Sequence, residues 1–182
     1  LVSVSGNHMG DAGKQGLLDT IDILKKVSIN SVGAGINKEK AYEPYIWKKD
    51  DVTFAFLAFN SVVSSIVKAK DKGNTVKSTG IAWLDDDALV AVNEAKKKAD
   101  IVIAIVNWGK EYIPKPTDKE IEWGRKLVDA GADIILGDQA HWVQNYEFYK
   151  NKFISYGLGN YVFDQYWSEK TREGILEKLI FY

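Results

Sequence analysis

The sequence predicts an α/β fold, and three observations carry that expectation. A rhythm of helix, Ala-Asp, apolar strand and polar tip runs through 85–109 and again through 118–141, which is the order of βαβ units. The run 101–106 is apolar throughout, as suits a strand buried on both faces. Three apolar runs also lead into amide, imidazole or carboxylate side chains: 1–5 into Asn7 and His8, 101–106 into Asn107, and 134–136 into Asp138, Gln139 and His141. In open α/β sheets that C-terminal edge is where ligands bind, because its loops are free of packing duty. His8 and His141 are the chain's only 2 histidines.

Taken in order, residues 1–5 alternate as a strand does, and Leu17, Leu18, Ile21 and Leu24 recur at helical spacing. Asp11 is placed to cap that helix, with Gly10 and Gly13 easing the entry. Gly33-Ala34-Gly35 breaks the pattern. Tyr45-Ile46-Trp47 and 52–59, separated by Lys48-Lys49-Asp50-Asp51, read as a β-hairpin. Residues 61–80 are polar and aperiodic, and a loop of that length is usually functional or mobile. Asp85, Asp86 and Asp87 place acids at the start of a helix with Leu89, Val92 and Ala95 on one face. Thr117 and Glu120 form a capping box after Pro116, opening a helix with Ile121, Gly124, Leu127 and Val128. The segments 143–149 and 153–156 flank Lys150-Asn151 as a second hairpin, and 174–182 reads as a last strand. No composition shift marks a boundary, so 1–182 is expected to form a single domain.

The 182 residues are 46% hydrophobic, enough for one domain with its own core. A net charge of −1 with interspersed signs gives no footprint for nucleic acid. The absence of cysteine excludes disulfides, thiolate metal sites and a cysteine nucleophile. No run reaches the roughly 20 apolar residues of a spanning helix, and no signal peptide is legible at the start. The chain opens inside a strand-like run, so an upstream segment is expected.

Imidazole and amide oxygens at neighbouring strand tips suit a first-row divalent metal, which could activate a water or polarise a phosphoryl oxygen. A histidine beside it could protonate a leaving group. Each residue also has a plainer role. His8 suits a turn and Asp11 a helix cap; His141 could brace the following strand; Asn107 and Gln139 bind metals weakly compared with imidazole or carboxylate. Asp138 is the better donor, yet it also suits a turn cap. Gly157-Leu158-Gly159-Asn160 is a fourth tip whose glycines permit close backbone approach. Trp108, Tyr112, Trp142, Tyr166 and Trp167 could stack on a planar ligand or simply fill core.

These residues, in this order, resemble the bacterial capsule-synthesis family of CapA/PgsA type, associated with poly-γ-glutamate production and itself similar to the calcineurin-like metallophosphoesterases. The family's Asn-Asn-His-x-x-Asp-x-Gly stands here as Gly6-Asn7-His8-Met9-Gly10-Asp11-Ala12-Gly13. Its His-Trp-Gly-x-Glu-Tyr stands as Asn107-Trp108-Gly109-Lys110-Glu111-Tyr112. Its Gly-His-His-Pro-His-x-x-Gln stands as Gly137-Asp138-Gln139-Ala140-His141-Trp142-Val143-Gln144, and its Ser-Leu-Gly-Asn as Gly157-Leu158-Gly159-Asn160. The resemblance implies layered α/β/β/α sheets of calcineurin-like metallophosphoesterase type, here lacking the N-terminal part. It implies His8 as the acid with Asp11 beside it, and Asn7 and His141 as metal ligands. Asn107 and Gln139 fall where the family has histidine ligands. Glu111 and Asn160 line or brace the site, and Trp108 is placed for substrate contact.

The implied cofactor is a divalent ion of Mn, Fe or Zn class, weakly held or absent because two imidazoles are replaced by amides. The implied partners are an anionic polymer or phosphoester substrate and other capsule-synthesis proteins, at the cell envelope on the outer face of the membrane or outside the cell. Two functions follow from the resemblance: metal-dependent phosphoester hydrolysis, or a catalytically degenerate member that binds an anionic envelope polymer or assembles with partners.

Overall fold

A computed structural model of the chain describes residues 1–62, 68–69 and 78–180. In chain order its elements are β1 (Val2–Ser3), α1 (Gly13–Lys26), β2 (Ser31–Val32), β3 (Ala34–Gly35), α2 (Lys38–Ala41), β4 (Tyr45–Lys49) and β5 (Val52–Asn60). Then follow β6 (Gly80–Ile81), α3 (Asp86–Lys96), β7 (Ile101–Asn107), α4 (Asp118–Ala130), β8 (Ile134–Asp138), β9 (Tyr146–Tyr149) and β10 (Lys152–Ser155).

Six strands form one mixed sheet in the order β4-β5-β7-β8-β10-β9. The inner four run parallel, because α3 carries the chain from β5 to β7 and α4 carries it from β7 to β8. The antiparallel edges come from the two hairpins. Lys150 and Asn151 both adopt positive φ at the second turn, the backbone a two-residue hairpin loop favours. Register is decisive for the site: Asn60 lies opposite Asn107, and Asn107 opposite Asp138. Three polar side chains therefore finish three adjoining strands at one level.

Both helices pack on one face of the sheet. Ala55, Leu57, Phe59, Val102, Ala104, Val106 and Ile135 meet Ala88, Val92, Ala95, Leu127 and Val128 in the main core. The alternation along β5 and β7 supplies the strand half of this contact, and three-and-four spacing supplies the helix half. Leu127 is fully buried, so its truncation to alanine should cost about 2–5 kcal/mol. The capping box of α4 forms as the sequence indicates: Thr117 N–H donates to Glu120 Oε2, and Glu120 N–H points back at Thr117 Oγ1. Asp85 caps α3, and Lys68 pairs with both Asp85 and Asp87.

The opposite face is also apolar, and none of the described helices joins its cluster. Phe54, Ile103 and Ile134 form its centre, with Phe56, Leu136 and Phe153 around them. Trp47, Tyr146 and Phe148 extend it into solvent, Phe148 to 69% exposure. Leu179 reaches over a cleft of about 390 Å³ beside Trp47, Phe54 and Ile103.

The N-terminal part is joined to the sheet through polar atoms. β1 pairs in parallel with β2. Beyond β1, Ser5 Oγ donates to the carbonyl of Phe59 and the Ser5 carbonyl accepts from Asn60 Nδ2 at 2.6 Å. Gly33, at φ +97, permits this approach, since a Cβ there would lie 2.7 Å from that of Ser5. The docking delivers Asn7 and His8 to the sheet edge that carries Asn60 and Asn107.

Three expectations need correction. Asp11 does not cap α1: the cap position is Ala12, which makes no side-chain cap bond, and the Asp11 carboxylate is turned to His8. Residues 174–180 form no strand; Gly174 makes one isolated bridge to Gly159, closed by the Ile175 N–H donating to the Leu158 carbonyl, and residues 181–182 lie outside the described residues. The second hairpin starts at Tyr146, because Val143 bridges Leu158 instead. Short pairings missing from the sequence reading, β2 and β3, occupy 31–35. Of the long loop expected over 61–80, residues 63–67 and 70–77 lie outside the described residues, and Gly80 belongs to β6.

Candidate functional site

A cavity of about 440 Å³ opens at the C-terminal edge of the sheet. Asn7, His8, Asn107, Glu111, Gln139, His141 and Asn160, all singled out in the sequence, line it together. Tyr112, Asp138, Phe163 and Gln165 complete its polar and aromatic wall.

Its floor is a ladder of side-chain hydrogen bonds across the strand tips. Asn60, fully buried, donates through Nδ2 to Asn107 Oδ1 at 3.1 Å, while its own Oδ1 accepts from the Val62 N–H. Asn107 Nδ2 donates to Asp138 Oδ1 at 2.8 Å and, more weakly, to Gln139 Oε1 at 3.3 Å. Gln139 Nε2 in turn donates to Glu111 Oε1 at 3.1 Å. Each amide is spent at both ends. Burial pushes the Asp138 carboxyl up to about 6, against the pull of the Asn107 bond and the nearby His141.

The opposite wall fixes His141. Asn160 Nδ2 donates to the Thr171 carbonyl, so its Oδ1 is the atom that meets His141 Nδ1 at 2.9 Å. Nδ1 therefore carries the proton, and Nε2 faces Glu111 Oε1 at 3.9 Å. Gln165 Nε2 donates to the hydroxyl of Tyr112, whose ring stacks on His141 at 5.4 Å. Phe163 tilts against the same imidazole at 5.3 Å. The backbone is drawn into unusual conformations to place these groups: Tyr112, Gln139 and His141 all adopt positive φ. Such residues persist where surrounding bonds over-determine them. Here the Tyr112 N–H donates to the Ala140 carbonyl, tying the loop after β7 to the loop after β8.

At the rim, His8 Nδ1 lies 2.9 Å from Asp11 Oδ2, with both side chains open to solvent. Asp11 itself is absent from the cavity lining and meets it only through its contact with His8.

The structure corrects one assignment. Trp108 makes no part of the cavity wall: it is 1% exposed, stacks on Tyr156, and donates Nε1–H to the Tyr156 carbonyl. The side chain one place beyond the tip of β7 turns into the core, so Trp108 lies beneath the site and outside its wall. Asn60 was overlooked in the sequence, although it ends an apolar run just as Asn107 does.

Among the described residues, a divalent metal is poorly served by the amide donors. Metal capture needs open lone pairs on imidazole, carboxylate or amide oxygen. The Asn107 oxygen is bonded to Asn60, the Gln139 oxygen to Asn107, and the two histidines stand on separate partners. Among the described residues, no group of three or more His, Cys, Asp or Glu could hold an ion. Nor is any helix among them long and apolar enough to cross a membrane.

A family model described as "Bacterial capsule synthesis protein PGA_cap" matches residues 1–165. The chain is 36% identical over 178 residues to the "PGA biosynthesis protein CapA" of Bacillus subtilis, covering 97% of this chain and 45% of that relative. It is 33% identical over 177 residues to the "Capsule biosynthesis protein CapA" of Bacillus anthracis, covering 97% and 43%. The chain thus spans a little under half the length of these curated relatives. Among solved structures, a putative 5'-nucleotidase from Staphylococcus aureus in complex with alpha-ketoglutarate superposes with a TM-score of 0.50 at 16% identity, covering 85% of this chain and 31% of that one. Likeness at that identity concerns the fold alone, and it agrees with the α/β architecture expected from the sequence.

Proposed function

Because the chain belongs to the bacterial capsule synthesis protein PGA_cap family, we propose that its cavity binds the anionic polymer of capsule or poly-γ-glutamate biosynthesis without hydrolysing a phosphoester. One observation carries the reading: both ends of the Asn107 amide are committed, to Asn60 and to Asp138. A metal-dependent hydrolase needs that position open to an ion. A binding site needs it rigid, because a pre-formed wall avoids the entropy of ordering side chains on association. The protein acts at the cell envelope, outside the membrane, in company with other capsule-synthesis proteins.

A second reading, metal-dependent phosphoester hydrolysis with an ion of Mn, Fe or Zn class, is favoured by the His8–Asp11 pair at the rim. A carboxylate beside an imidazole is the arrangement that tunes a proton donor. Elemental analysis of purified protein, with hydrolysis of a generic phosphoester in added Mn²⁺, separates the two. The binding reading expects no stoichiometric metal and no turnover. Bound metal with turnover abolished by His8→Ala would establish hydrolysis in its place.

A further inference from the structure

We propose that the cavity receives a primary ammonium group, the amino end of a γ-linked glutamate chain, rather than the carboxylates along it. The inference rests on the polymer-binding reading and adds which part of the polymer enters. Three features carry it.

The first is charge. Asp138 and Glu111 line the cavity, Asp11 stands at its rim, and no lysine or arginine is among the described residues that line it. The two histidines already face carboxylates, His8 on Asp11 and His141 towards Glu111. A polymer carboxylate would enter like charge with no free cation among the described lining residues to meet it, and like-charge juxtaposition excludes wrong ligands. The second is an open acceptor. Asp138 Oδ1 is held by Asn107, but its other oxygen accepts no hydrogen bond from a described residue. Glu111 likewise offers the oxygen that Gln139 does not use. An ammonium carries three donors and no acceptor, the complement of such a wall. The third is the aromatic side. Tyr112 and Phe163 line the same space, and ring faces attract a cation. The volume of about 440 Å³ suits a terminal residue and its amide.

The test is calorimetric titration of the chain with a γ-linked glutamate tetramer and with its N-acetylated twin, each with and without EDTA. The free amine is expected to bind at least tenfold more tightly, in EDTA as without it. Asp138→Asn, which keeps an acceptor for Asn107, is expected to bring the free-amine tetramer down to the level of its twin. The comparison of twins on the unaltered chain decides the matter even if that variant folds poorly. Equal binding of the twins overturns the inference and leaves polymer binding standing. A preference that vanishes in EDTA also overturns it, since a divalent ion bridging carboxylates would then be the agent. Binding of neither twin overturns polymer binding and the inference with it.

Discussion

Asn107 Nδ2 donates to Asp138 Oδ1 across 2.8 Å, joining the tips of two adjoining parallel strands, while the other end of the same amide is held by Asn60. An amide suits this place because it donates in one direction and accepts in the other. Its neighbours are chosen accordingly: Asn60 presents N–H and Asp138 presents a carboxylate oxygen. The orientation of the middle residue follows from the outer two.

Removing the middle of the ladder should therefore cost more than one ordinary hydrogen bond. Asn107→Ala leaves the Asp138 carboxylate without its donor in a poorly solvated place. The expected loss is about 2–3 kcal/mol, read from urea unfolding at neutral pH. A loss below about 0.5 kcal/mol would show that water replaces the amide at no cost.

Asp138 gives the protein a distinctive response to pH. Its folded-state value of about 6 lies above the ordinary carboxylate range, so the folded protein holds the proton more tightly than the unfolded chain. Its contribution to stability is greatest below about pH 4 and falls as pH rises through about 6, by an amount on the order of 2–3 kcal/mol. Asp138→Asn should gain stability relative to the parent as pH is raised from 4.5 to 7. Parallel unfolding curves at several pH values check it; a constant difference contradicts it.

Asp133 works in the opposite sense. Burial pushes its carboxyl up, but the bonds from Lys152 and Lys96 and the Val102 N–H outweigh that and hold it below its ordinary value. Its stabilisation is present above about pH 4, the unfolded value, and is lost as pH falls through the lower folded value. Asp133→Asn should be less stable than the parent at pH 7, with the gap closing in acid. Acid titration of the circular dichroism signal measures it.

Gly109 should resist any side chain. Its φ is +83, and a Cβ there would lie 2.2 Å from Glu120 Oε1. Gly109→Ala is expected to cost about 2–4 kcal/mol, from backbone strain and a displaced capping-box carboxylate. Adding Glu120→Ala should recover part of that loss, giving a combined effect smaller than the sum in thermal unfolding.

The sequence made legible what is decided locally. The capping box at Thr117 and Glu120, the hairpin around Asp50 and the parallel strand at Ile101 each follow from neighbours a few residues away. β2 and β3 were not legible, because two residues leave no periodicity to read. Asp11 misled for a related reason: its spacing suits a cap, but His8 lies three residues before it on a 3₁₀ turn and takes the carboxylate. That Asn7, Asn107 and Gln139 gather at one sheet edge was readable, since each follows an apolar run. Which way the amides of Asn107 and Gln139 point was not, because that depends on Asn60 and Glu111, far away in the chain. Trp108 shows the same limit: nothing in its neighbours tells that it turns inward to Tyr156.

Among the described residues, the fringe of the second apolar face gives the chain an amphiphilic side. Phe54, Ile103 and Ile134 are buried there, Trp47, Tyr146 and Phe148 stand in solvent around them, and the helical side opposite exposes Glu94, Lys97, Lys119, Glu122 and Lys126. Such a particle should be dispersed or precipitated less by its own net charge than by how solvent wets that one plane. Sulfate, which strengthens apolar association, should salt it out early, while modest urea should keep it monodisperse well before the parallel core yields.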